Sequence, residues 1–305
     1  MMPLLPQDIL VLERGWLSSN SILLLDRDHA DLVDSGYVTH ASQTLALVQH
    51  GLDGRTLRTL VNTHLHSDHC GGNAALQVAH SELQTYIPPG LARFVQPWDP
   101  EALSYAPTGQ QCPPFMINGA LRPGQTIQLG GRNWDIHAAP GHDPDSVILF
   151  QPELRLLISA DALWEHGFGV VFPEIEGHAA FDDVSRTLDL IEALKPAFVI
   201  PGHGRVFTDI SSALQIARQR LTGFVKDPRK HARHAAKVLL KFKLLEQQRM
   251  ATQDMYAWAH ATRYIQLLHQ HHFSQHNVQT WCQDLLEDLV RVGAAEVVGE
   301  TLFNR

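Results

Sequence analysis

Apolar and polar residues alternate in short blocks along the first two thirds of the chain, then change rhythm in the last third. The runs at 21–25 and 31–36 are short and β-rich, and the second ends on Gly36, which predicts paired strands ending at a glycine turn. Residues 40–51 carry helical spacing and predict a helix stopped by Gly51. The run 57–64 predicts a buried strand, and 73–80 a helix starting at Asn73. Further apolar runs at 126–130, 134–140, 146–150, 154–160 and 197–201 predict more strands. Residues 181–195 predict a helix that opens on Asp182 and Asp183 and closes on Lys195, the charge order a helix dipole favours. This succession predicts an α/β layered domain with mixed sheets.

Beyond about residue 210 helical spacing takes over, as in 234–248 and 277–293. The division is placed between a first domain, 1–215, and a helical second one, 216–305. The stretch 218–243 carries nine Lys and Arg against the single acid Asp227. A solvated helix face explains such a run most simply; the alternative is a patch that meets an anionic substrate or nucleic acid.

Composition narrows the class. The 305 residues are 44% hydrophobic and 18% charged, as in ordinary globular proteins, and the net charge of −8 argues against a general nucleic-acid binder. Cys70, Cys112 and Cys282 lie far apart without CxxC spacing, so neither a disulfide framework nor a cysteine-based zinc knuckle is expected. The stretch 1–16 lacks a basic segment followed by a sustained apolar run, and no stretch approaches a membrane span. A cytoplasmic protein with no membrane partner is the expectation.

The candidate chemistry gathers at 61–73, VNTHLHSDHCGGN. His64, His66, Asp68 and His69 fall within six positions directly after a strand-like run. The i, i+2 spacing of His64 and His66 points both side chains the same way from an extended segment. Imidazole and carboxylate are ligands for zinc, iron or manganese. With 19 histidines in the chain, H-x-H-x-D-H arises by chance on the order of half a percent of the time. Three more ligand-type residues, His142, Asp161 and His203, each close an apolar run, and both histidines follow Pro-Gly. Strand ends are where layered α/β folds assemble their sites.

Together, H-x-H-x-D-H, P-G-H, A-D and P-G-H-G resemble the metallo-β-lactamase superfamily over roughly residues 10–208. The run 18–36 is similar to that superfamily's opening hairpin, with Asp34 at its end. The resemblance implies a four-layer αβ/βα sandwich holding two divalent metal ions, zinc first and iron or manganese as alternatives. By motif, His64, His66 and His142 would hold the first metal, Asp68, His69 and His203 the second, and Asp161 would bridge both. The tail, an amphipathic helix followed by Gly293 and a short hairpin, resembles the winged-helix-like appendage of the β-lactamase-like proteins; a plain helical cap over the pocket is the alternative.

Within the superfamily, Asp161 is similar to the glyoxalase II and β-lactamase-like protein branch, since true β-lactamases lack a bridging aspartate. The interval from Asp161 to His203 is too short for the inserted domain of the superfamily's nucleases. Asp145 stands where members often carry glycine, and no match to the glutathione-binding Lys and Tyr residues of glyoxalase II is found, which argues against glutathione thioesters. The expected function is a dinuclear metal-dependent hydrolase of a small-molecule ester, thioester or lactone. A metal-bridging hydroxide would attack, and Asp68 would act as the catalytic residue that orients it or moves its proton. The alternatives are a phosphodiesterase or ribonuclease that uses 218–243, and a non-hydrolytic iron oxygenase. Trp164, His166, Phe168, Phe172 and His178, directly after Asp161, are the expected substrate-binding residues, with ordinary core as the competing role of each aromatic. The histidine-dense run 268–276 is assigned to the surface, and Cys70 to packing.

Overall fold

The computed structural model describes residues 5–305, so the first four residues of the N-terminal stretch 1–16 lie outside the described residues. Its first sheet runs in the order β1 (Ile9–Leu12), β2 (Ser21–Leu25), β3 (His29–Val33), β4 (Thr56–Val61), β5 (Gln84–Ile87) and β6 (Gly119–Ala120). β1 to β3 are antiparallel neighbours, and β3 to β6 are parallel. The second sheet runs in reverse sequence order, from β11 (Phe198–Pro201) through β10 (Leu156–Ala160), β9 (Val147–Gln151) and β8 (Arg132–Ala138) to β7 (Thr126–Leu129). Only the β10–β11 pair is parallel there.

Period-two alternation sorts the strand residues between two apolar layers. Ile22, Leu24, Val33 and Val61 from the first sheet meet Ile136, Leu149, Ile158 and Ile200 from the second in one core. Their neighbours Leu23, Leu32 and Leu60 turn outward onto α1 (Ala41–Leu52). On the other side Ile148, Leu157 and Val199 turn onto α7 (Phe181–Leu194) and α8 (Ile210–Lys226). The result is helix, sheet, sheet, helix, so these strands are apolar on both faces. Short helices fill the connections: α2 (Ser67–Cys70), α3 (Asn73–Ala79), α4 (Ala92–Val95), α5 (Tyr105–Thr108) and α6 (Phe172–Ile175).

Gly51 does not stop α1. The helix continues to Leu52 and ends at Asp53, whose φ of 47° is left-handed. Gly51 sits against Leu23, where a Cβ would lie 2.7 Å from Cδ2, so glycine is there to let helix and sheet approach.

The last third holds α9 (Pro228–Gln247), β12 (Arg249–Ala251), α10 (Thr252–Ala261), α11 (Arg263–His272), α12 (Val278–Arg291), β13 (Ala295–Val298) and β14 (Thr301–Asn304). Its strands form a small antiparallel sheet in the order β12-β14-β13. Helix α12, Gly293 and the β13–β14 hairpin follow one another at 278–304, with β12 added to the hairpin. Residue 216 lies inside α8, whose Ala217, Leu221 and Phe224 pack with the second sheet's outer layer, whereas the core of the last third begins at Ala232 on α9. Among the described residues no helix is long and apolar enough to cross a membrane.

Candidate metal centre

Five strand ends converge at one edge of the sandwich. β3 runs into Asp34, β4 into His64 and His66, β8 into His142, β10 into Asp161 and β11 into His203. The turn after β4 enters α2, which carries Asp68 and His69. Ala160 adopts a left-handed φ of 46°, and the β10–β11 register shifts between Ile158 and Ala160. Such a bulge redirects the next side chain, here Asp161, at a cost of about 1–2 kcal/mol in backbone strain.

The donor atoms form two groups, each within 4.8 Å of one another: His64, His66 and His142, then Asp68, His69, Asp161 and His203. Asp161 reaches toward both. Its Oδ1 lies 3.5 Å from His69 Nε2, and its Oδ2 lies 3.3 Å from His142 Nε2 and 3.9 Å from His203 Nε2. His66 Nδ1 lies 2.8 Å from His142 Nε2, and His203 Nε2 lies 3.0 Å from Asp68 Oδ2. All seven residues are buried.

Their orientations are held from behind. Asp34 Oδ2 lies 2.8 Å from His69 Nδ1, while the Thr63 N–H and hydroxyl donate to the same carboxylate at 2.9 and 2.8 Å. His142 Nδ1 lies 2.6 Å from the Val170 carbonyl, which turns Nε2 toward the cluster. Trp164 Nε1 donates to Asp161 Oδ1 at 3.1 Å. Gly202, ahead of His203, has no room for a side chain: a Cβ would lie 2.2 Å from Asp161 Oδ1. The Pro-Gly-His signal therefore encodes close approach of backbone to donor group.

Electrostatics splits the set in two. Burial, followed by the neighbouring histidines, holds His64 well below its ordinary value and His66 at about 3. Burial pulls His69 the same way, yet Asp34, Asp161 and Asp68 together hold it well above. Burial would raise the carboxyls of Asp68 and Asp161, but the surrounding histidines more than offset it and keep both low. The neutral imidazoles of His64 and His66 beside ionised carboxylates suit a divalent cation, which would take the place of the proton on His69. The buried His64 Nε2 and His69 Nε2 have no hydrogen-bond partner. Orphaned nitrogens aimed into a carboxylate-lined cluster fit a bound metal.

A cavity of about 560 Å³ opens onto the cluster and reaches Asp68, Asp161, His66, His142 and His203. Of the five expected substrate contacts, Trp164, His166 and Phe172 line it. Phe168 does not. It is 2% exposed and packs in the core beneath α8, 6.2 Å from the Phe224 ring. His178 is exposed outside the lining, where the chain turns back from α6 and its N–H reaches Pro173 O. Sequence reasoning missed Trp16, which stacks on His203 with ring centroids 5.3 Å apart, and the α9 residues Val238 and Phe242. Trp16 carried no periodic signal; those of α9 were hidden inside a helix pattern. Asp143, whose carboxyl burial raises to about 7, lies 3.6 Å from His66 Nε2 and was also missed. Cys70 is fully buried, its thiol 3.2 Å from the Tyr105 hydroxyl.

Known proteins bear on this geometry. The chain is 26% identical to the beta-lactamase-like protein 2 homolog of Drosophila melanogaster, over 73% of this chain and 74% of that protein. It is 29% identical to a hydroxyacylglutathione hydrolase of Legionella pneumophila (strain Corby), over 38% of each. The crystal structure of a metallo-beta-lactamase family protein from Thermus thermophilus superposes with a TM-score of 0.57 at 19% identity, covering 98% of this chain and 99% of that one. Residues 14–203 match the family model described as the metallo-beta-lactamase superfamily, and the chain belongs to that superfamily.

Proposed function

We propose that the protein is a dinuclear metal-dependent hydrolase of an ester-like bond, thioester or lactone. One observation carries this reading: two donor groups, with Asp161 of the second also 3.3 Å from His142 of the first, lie on the floor of a cavity whose walls include Trp16, Trp164, Phe172 and Phe242. His64, His66 and His142 would hold one ion and Asp68, His69 and His203 the other, with Asp161 between them. The likeness to a hydroxyacylglutathione hydrolase supports ester-type chemistry, although that alignment spans 38% of the relative. Such ions, when bound, polarise a carbonyl oxygen and supply a nucleophile from water near neutral pH.

The chain's own groups do the rest. Asp68 lines the cavity with Oδ2 3.0 Å from His203 Nε2, which supports a role for its carboxylate in orienting the nucleophile and returning a proton to the leaving group. The Trp16–His203 stack and the Phe172 ring, 4.5 Å from His66, set apolar surface beside the donors, which would hold the acyl part.

The test is a screen of zinc-, iron- and manganese-loaded protein against thioesters, lactones, β-lactams and single-stranded RNA, with metal content measured in parallel. Hydrolysis of a thioester or lactone with two ions per chain is expected, and Asp68→Ala should lower kcat by about 10²–10⁴. RNA cleavage without ester turnover would select a phosphodiesterase, and oxygen consumption with one iron an oxygenase.

A further inference from the structure

The basic run 218–243 is mostly engaged within the fold. Arg218 pairs with Asp189 and Glu192, each at 2.8 Å, and Lys243 pairs with Glu246. Lys241 donates to the Ala294 and Arg305 carbonyl oxygens and to Asn304 Oδ1. Arg233, Lys237 and Arg291 share the single carboxylate of Asp288, so this cluster keeps excess positive charge. Arg220 adds to it. Its Nη1 donates to the Phe168 carbonyl at 3.1 Å, and no described carboxylate lies within 4.0 Å of the guanidinium. Gly167, at φ +119°, leaves space for it, since a Cβ there would lie 2.6 Å from Nη1.

Arg220, His234 and Lys237 line the same cavity as Asp68 and Asp161. Burial first, then Arg220 and Lys237, push His234 down to about 4, so at neutral pH it is uncharged and offers one N–H. Arg220 is withdrawn from water with no carboxylate partner among the described residues, and Lys237 shares its one carboxylate, Asp288, with two arginines, so a ligand anion would offset the surplus positive charge.

We infer that Arg220, His234 and Lys237 form an anion subsite, which takes the carboxylate or phosphate end of a ligand whose apolar body lies along Phe172, Val238 and Phe242. Resting on the proposed hydrolase, this makes the substrate an ester-like compound that carries a negative charge at the end remote from Asp68. A nucleic-acid backbone needs a row of outward cations, and Arg218, Lys241 and Lys243 of this run are bound to other parts of the chain.

The experiment is calorimetric titration of the metal-loaded full chain with octanoate, octyl phosphate and 1-octanol, alongside Arg220→Gln, Lys237→Gln and Arg220→Lys. Both glutamine variants should weaken the two anions at least about tenfold, leave 1-octanol within about twofold, and Arg220→Lys should restore most of the affinity. The tighter anion in the unaltered protein tells a carboxylate terminus from a phosphate one. Unchanged anion affinity in the glutamine variants overturns the subsite, as does 1-octanol binding as tightly as the anions. So does single-stranded RNA that binds in an Arg220-dependent way while neither octyl anion binds. Circular dichroism melts check folding, and Lys237→Gln decides if Arg220→Gln does not fold. Arg220-dependent binding without turnover would remove the hydrolase and keep the subsite; turnover of neutral esters with no anion binding would do the reverse.

Discussion

Asp34 turns out of β3 at a left-handed φ of 58°, and its two oxygens collect the Thr63 N–H, the Thr63 hydroxyl and His69 Nδ1. A carboxylate behind a histidine fixes which ring nitrogen faces the metal and makes it a stronger donor. Asp34→Asn should therefore lower metal affinity about 10–100-fold while the fold persists, read by competition with a chelator of known affinity. Unchanged affinity would show that His69 is oriented by packing alone. The seven ligand-type residues were legible because His64 to His69 fall in one local motif and the others stand at strand ends. Asp34 was visible only as the end of a hairpin. The Val170 carbonyl on His142 was not legible, because a backbone acceptor 28 residues away leaves no mark on side-chain identity.

Among the elements, α9 decides how the last third meets the sandwich. His231 is 2% exposed near its start, between the Phe181 and Phe224 rings, and its Nε2 accepts the Val171 N–H at 3.0 Å. Burial, then His234 and His272, depress its pKa to about 3, against 6.5 in the unfolded chain. As pH falls below about 6.5 the unfolded state takes up this proton first, so stability drops until the native histidine titrates near 3. His231→Gln, which keeps an acceptor for Val171, should flatten the slope of unfolding free energy between pH 6 and pH 4. The expected reduction is up to roughly 1.4 kcal/mol per pH unit, measured by urea melts at several pH values. Equal slopes for both proteins would place the acid sensitivity elsewhere. Helical spacing and the basic run announced α9 in the sequence. Which cations pair within the fold and which face the cavity depends on Asp288 and Glu246, and no local pattern reveals those partners. Gly51 misled for a related reason: a glycine needed for packing and one that ends a helix look alike in one dimension.

At the scale of the whole molecule the question is whether the regions expected at 1–215 and 216–305 unfold separately. Val170 and Ile175, from the segment after Asp161, belong to the same apolar core as Leu240, Ile265 and Leu286 of the last third. A second tie is polar. The fully buried Tyr37 donates its hydroxyl to Glu246 on α9 at 2.9 Å and accepts the Gln111 N–H at 3.1 Å, while Gln111 Nε2 donates to the same Glu246 oxygen. The cavity itself is built from both regions, with Asp68 and Trp164 on one wall and Val238 and Phe242 on the other. With apolar and polar links shared in this way, neither region buries its surface without the other, and one cooperative transition is expected. Tyr37→Phe leaves the Gln111 N–H without its acceptor and Glu246 with one donor fewer, so it should cost about 1–3 kcal/mol. Because the loss falls on a shared contact, it should shift the entire transition. Urea melts followed in parallel by far-UV circular dichroism, near-UV circular dichroism and tryptophan fluorescence test this. Coincident curves displaced together agree with a single unit, whereas a variant whose curves separate would mean that the sandwich and the helical region fold independently and meet only at the cavity.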